Sequence, residues 1–155
     1  KEGALPELRS LIAIWVLPLA DELRRRGEGN HYLRFLDRLR RGPSQPFAAR
    51  ILSLQSEYRH VFALIERHLE GMPTSIRRSR LGIAAEQIVS SLAALEAEIP
   101  ADPSGTDDYP AFAVNNLIDY ISGGLTAPSS PETAAATGLP RTVDFHFRIL
   151  NEGAI

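Results

Sequence analysis

A chain of 155 residues, 44% hydrophobic and 23% charged, is long enough to bury one sizeable core and requires no second domain. It contains no cysteine, which excludes disulfides and thiolate metal sites, and a net charge of −2 with a pI near 6.1 leaves no overall basic surface for nucleic acid. No apolar run approaches the roughly 18 to 20 residues that span a bilayer, and no secretory signal pattern follows Lys1, so a cytoplasmic protein with no membrane partner is expected. The missing initiator Met points to further sequence upstream.

In chain order, Leu5, Leu8, Leu11, Ile12, Trp15, Val16, Leu19 and Leu23 recur at three- and four-residue intervals, the spacing of one apolar stripe on a helix. Pro18 falls inside this helix and, lacking an N–H, predicts a kink or a local opening. Gly27 and Gly29 bracket its end. A second helix follows, with Asn30 as the expected N-cap and Tyr32, Leu33, Phe35, Leu36 and Leu39 on its buried side. Gly42-Pro43-Ser44-Gln45-Pro46 predicts a break. A long helix is then expected from about Phe47 to Leu69, with Ile51, Leu54, Tyr58, Val61, Phe62, Ile65 and Leu69 on one face, ended by Gly71-Met72-Pro73.

Two further helices read differently. From about Thr74 to Glu98 the apolar residues include Ile76, Leu81, Ile83, Ile88, Leu92 and Leu95, and small residues fill much of the remainder. An acidic, proline-bearing loop is expected from Ile99 to Asp108. Beyond it Phe112, Ala113, Val114, Leu117, Ile118, Tyr120, Ile121 and Leu125 cover more than half of a helical circumference. A helix that is apolar so far round must be covered on two sides, and a second subunit is the simplest second cover. The expected two-fold interface uses Gly82, Ala93 and Ala94, which allow close approach, with Phe112, Leu117, Tyr120 and Ile121.

The segment Leu11 to Leu23, containing Trp15-Val16-Leu17-Pro18-Leu19-Ala20, and the following Gly29-Asn30-His31-Tyr32-Leu33-Arg34-Phe35-Leu36 together resemble the ligand-sensing C-terminal domain of TetR-family transcriptional regulators. The run from Phe112 to Leu125, with Asn116-Leu117-Ile118-Asp119 inside it and Gly124-Leu125 at its end, is similar to the family's last helix. The likeness covers roughly Leu5 to Pro128. It implies an all-α bundle of about five to six helices, with residues 1–128 as the effector-binding and dimerisation domain and 129–155 as a tail. It also implies a homodimer built on the two final long helices, a small hydrophobic effector, and contact with operator DNA through an upstream helix-turn-helix that this chain does not contain. The alternative is a helical homodimer serving as a structural or protein-interaction module without a ligand.

The chain carries few patterns associated with catalysis. Ser10, Ser53, Ser56 and Ser122 lack a nucleophile elbow. Glu57 and His60 have the Glu-x-x-His spacing of di-iron bundles, but those sites need a second such pair and two more glutamates. His60 and His68 are two helical turns apart and do not make a zinc site by themselves. Gly123-Gly124 reads as a helix terminator, since no phosphate-loop pattern accompanies it. No enzyme, metal or cofactor is therefore expected. The arginine clusters Arg24-Arg25-Arg26 and Arg38-Arg40-Arg41 read as solvated helix ends. Trp15, His31, Tyr32, Phe35, Tyr58, Phe62 and Gln87 are the candidates for lining an effector cavity, bounded by the helices carrying Trp15, Phe35 and Phe62. For each aromatic the competing reading is ordinary core, and for His31 a capping or surface position. Pro128 to Pro140 reads as an irregular connector, and the alternation from Thr142 to Ile149 reads as a packed arm, a short helix or a disordered end.

Overall fold

The apolar stripes within 8–20, 74–98 and 111–126 become buried helix faces, whereas the expected burial of Tyr32 and Phe35 on the second helix is corrected, since both stand half-exposed. The computed structural model describes residues 4–24, 31–41, 58–98 and 110–138, which form six α-helices, two short 3-10 turns and no strand. The all-α expectation therefore holds for the described residues. The expected N-cap Asn30, the break at 42–46, the first half of the helix expected from Phe47, the acidic loop and the alternating segment 142–149 lie outside them.

Helix α1, Leu8–Ala20, buries Leu8, Leu11, Ile12, Val16 and Ala20 and leaves Ile14 and Leu17 on its outer side. It starts without a side-chain cap: the Glu7 carbonyl accepts from Ser10 and Leu11 N–H at 3.0 and 3.2 Å. Helix α1 continues through Pro18 to Ala20. Pro18 sits on the exposed face, one turn after the exposed Ile14 whose carbonyl loses its usual partner through the missing N–H. Three residues later the chain tightens into a 3-10 turn, Asp21–Arg24, and buries Leu23.

Helix α2 is Tyr32–Arg41, and Leu33 is its wholly buried side chain. Helix α3, Tyr58–His68, buries Ile65 and places Arg67 and His68 in its last turn, where positive charge suits the helix dipole. Leu69 is buried in the turn that follows, and its carbonyl accepts from Met72 N–H at 2.9 Å. Helix α4, Thr74–Glu98, has the expected bounds and buries Leu81, Ala84, Ile88 and Leu92 as one stripe. At 25 residues it is roughly 37 Å long.

Helix α5, Ala111–Thr126, buries Val114, Leu117, Ile118, Ile121 and Leu125. The reading of Gly123-Gly124 as a terminator is corrected here, because the helix runs through both glycines. A Cβ at either would meet nothing within 4 Å, so nothing in this chain demands glycine there. The stop is Pro128, whose ring disfavours α geometry in the residue before it; Ala127 accordingly has ψ 142° while its N–H still bonds the Gly123 carbonyl. The connector after Pro128 is also more regular than expected. Ser130 caps a short helix α6, Pro131–Ala135, by accepting from Thr133 N–H at 3.2 Å, and Pro131 occupies the first turn. A 3-10 turn, Ala136–Gly138, continues it.

The core joins these pieces in a simple order. Helix α3 packs on α1, α1 on α5, α5 on α4, and α4 on α2. Ile12, Val16, Ile65, Ile88, Leu92 and Val114 form its fully enclosed centre, and every buried residue of that cluster is hydrophobic. No helix among the described residues is long and apolar enough to cross a membrane.

Candidate ligand and dimer surfaces

The residues proposed to line a cavity do not converge. Trp15 and Phe62 meet edge-to-face with ring centroids 4.8 Å apart, the arrangement that places a positive ring edge over a negative ring face. Both are partly buried against the core, so they fill the seam between α1 and α3. Phe35 and Tyr32 are 51% and 42% exposed on α2, a helix that packs on α4 rather than on α1 or α3. Tyr58 is half-buried at the start of α3. Gln87 is exposed and donates to Ser91 Oγ at 2.9 Å on its own helix. Among the described residues Trp15 and Phe62 thus meet each other at the α1–α3 seam, whereas Phe35 is half-exposed on α2.

His31 takes the capping position instead. Its carbonyl accepts from Phe35 N–H at 2.8 Å, the first bond of α2, and its exposed ring accepts from Arg34 Nη2 through Nδ1. The acceptor for the remaining first-turn donors comes from elsewhere in the chain. Glu96 on α4 takes Leu33 N–H on Oε1 at 3.1 Å and Arg34 N–H on Oε2 at 3.0 Å. Arg34 Nε adds a third contact at 3.3 Å, and the Glu96 side chain is only 6% exposed. A second cluster lies further along the same pair of helices. Arg40 bridges Asp37 at 3.0 Å, Ser90 at 3.1 Å and Glu86 at 2.9 Å, and Ser90 in turn donates to Asp37. Sequence reading missed both clusters.

The opposite end of α4 does similar work for α5. Arg80 donates to the Leu125 carbonyl at 3.0 Å, to the Ala127 carbonyl and to Ser129 Oγ, satisfying carbonyls that a helix C-terminus leaves unpaired. On the outer surface Arg9 pairs with Asp119 at 2.6 Å and ties α1 to α5. His68 bonds the Pro6 carbonyl at 2.7 Å. His60 is exposed, Glu57 lies outside the described residues, and no group of three or more potential metal ligands forms among the described residues.

The proposed dimer residues divide into two sets. Gly82, Ala93, Leu117 and Ile121 are already buried within one chain, because they lie on the faces that α4 and α5 turn toward the core. Ala94, Phe112 and Tyr120 remain at the surface, with Phe112 85% and Tyr120 66% exposed. They flank an open groove of about 440 Å³ between α4 and α5, with Leu95 and Leu117 also lining it and Gln87, Ser91, Glu98 and Asn116 as its polar members. Ile83, 48% exposed, lies one turn before Gln87 on α4. A smaller groove of about 280 Å³ lies between the turn after α3 and the end of α5.

Comparison with protein-family models, with curated proteins and with solved structures gives no match.

Proposed function

We propose that this chain is the effector-sensing and dimerisation domain of a TetR-like transcriptional repressor, acting through an upstream helix-turn-helix. The observation that carries the dimer is the α4–α5 groove, where Phe112 and Tyr120 stand in solvent beside Leu95 and Leu117. Apolar surface of this kind on two adjacent long helices is what a symmetric second copy would bury. The sensing role rests on the resemblance described above. In this reading an effector shifts a two-state equilibrium of the dimer by no more than its differential affinity for the two states.

A second reading, a homodimeric interaction module without a ligand, is supported by the same groove and by the way Trp15 and Phe62 occupy each other's space. Trp15 is the only tryptophan and separates the two readings. A panel of hydrophobic small molecules is expected to contain at least one that changes Trp15 emission and raises the melting temperature. If the whole panel leaves both unchanged, the interaction module replaces the sensor. Light scattering is expected to give the mass of a dimer; a stable monomer at micromolar concentration would overturn both readings.

A further inference from the structure

We infer that α2 is a latched element that undocks from α4 while the rest of the bundle stays folded, and that Glu96 is its latch. Beyond the one core residue Leu33, the seam between the two helices is held by ionic and polar contacts that the core lacks. Residues 33 and 34 of α2 meet Glu96, whereas Asp37 and Arg40 meet Ser90 and Glu86, so α2 runs antiparallel to α4 and is clasped at two points. Both clasps are polar. At the first clasp Leu33 is the one wholly buried side chain of α2 and its single member of the core cluster, with Leu36 and Leu39 half-buried, while Tyr32 and Phe35 on its outer side are half-exposed. The contacts among α1, α4 and α5 instead enclose Ile12, Val16, Ile88, Leu92 and Val114 completely.

This difference decides which part opens first. A carboxylate, a guanidinium and the N–H groups of a helix start all regain water when they separate, so the net cost of parting a polar clasp is small. Parting the apolar core returns large surfaces to water with no such compensation. A helix of ten residues is also too short to persist once detached, so undocking and unwinding of α2 are one event. Glu96 controls it because a single buried carboxylate supplies acceptors for the N–H groups of both Leu33 and Arg34. Undocking needs neither a second copy nor an effector.

The test is native-state hydrogen exchange on the full chain. In the unaltered protein the amides of residues 36–40 are expected to exchange through a local opening that leaves α1, α4 and α5 protected. Glu96→Gln keeps the shape of the side chain but loses its charge and one acceptor. It is expected to raise exchange across α2 by about tenfold to a hundredfold, the loss of a charge-assisted hydrogen bond, while exchange in α1 and α5 stays within about twofold. Arg40→Met should raise α2 exchange selectively through the second clasp. If α2 and α4 exchange in step in the unaltered protein, the latch is refuted even where a variant fails to fold. A uniform acceleration of all helices by Glu96→Gln, or no change in α2, would overturn it equally.

Discussion

Trp15 and Phe62 show how much a single pair of side chains decides. Their edge-to-face contact at 4.8 Å turns two candidate ligand contacts into a packed joint between α1 and α3. Phe62→Ala removes a partly buried ring, and a cost of about 2–3 kcal/mol is expected, below that of a fully enclosed ring. Denaturant unfolding followed by Trp15 emission measures it, and the folded-state emission should shift to the red as water reaches the indole. An unchanged midpoint would mean that the pair contributes nothing to stability. That both residues lie on inward faces was legible from their helical spacing. That they meet each other was not, because they are 47 positions apart and periodicity carries no information about the partner.

At the scale of elements, the lesson lies in the helix ends. The bounds of α4 were legible, since Thr74 follows Pro73 and the apolar stripe persists to Leu95. The end of α5 was expected at Leu125 and falls at Thr126; its cause was misread at Gly123-Gly124, because glycine weakens a helix but only Pro128 forbids its continuation. Helix α6 was missed in a segment whose Ser130-Pro131-Glu132-Thr133 run is a helix start: a capping hydroxyl, a proline in the first turn and an acid near the dipole's positive end. The carboxyl of Glu132 is held below its ordinary value near 4.5, first by a hydrogen bond from its own backbone N–H and then by the Ser130 hydroxyl. A depressed carboxyl stabilises the folded form above the unfolded value, and that contribution disappears as pH falls through the carboxylate range. Helix α6 is therefore expected to fray on acidification, before the core responds. The amide and Hα chemical shifts of residues 131–135 report this, and Ser130→Ala should abolish much of the helical signal at neutral pH. Shifts that stay constant from neutral to acid pH would exclude the mechanism.

For the whole molecule, the separation of core from surface on α5 gives two substitutions with opposite outcomes. Leu117 is 7% exposed, and Leu117→Arg places an unpaired charge against the core, with an expected loss of about 3 kcal/mol or more in the folding of each chain. Phe112→Arg changes a side chain that is 85% exposed, so it should leave the fold of one chain intact and weaken the proposed dimer. Light scattering and thermal melting on the two variants separate these effects. A Phe112→Arg protein that retains both its mass and its melting temperature would remove the α4–α5 groove from the interface.

Composition and periodicity by themselves determined that this chain is helical, which residues form the stripes of α1, α4 and α5, and that α5 carries more apolar surface than one face can bury. Those properties depend on neighbours three and four positions apart, and the linear order of residues records them directly. Tertiary structure alone decided that Glu96 caps α2 from 62 positions away, that Arg80 serves the carbonyls at the end of α5, and that Leu117 and Ile121 face inward while Phe112 and Tyr120 face out. These outcomes rest on which helix lies beside which: an unsatisfied N–H donates to, and an unsatisfied carbonyl accepts from, whichever side chain the packing brings within about 3 Å.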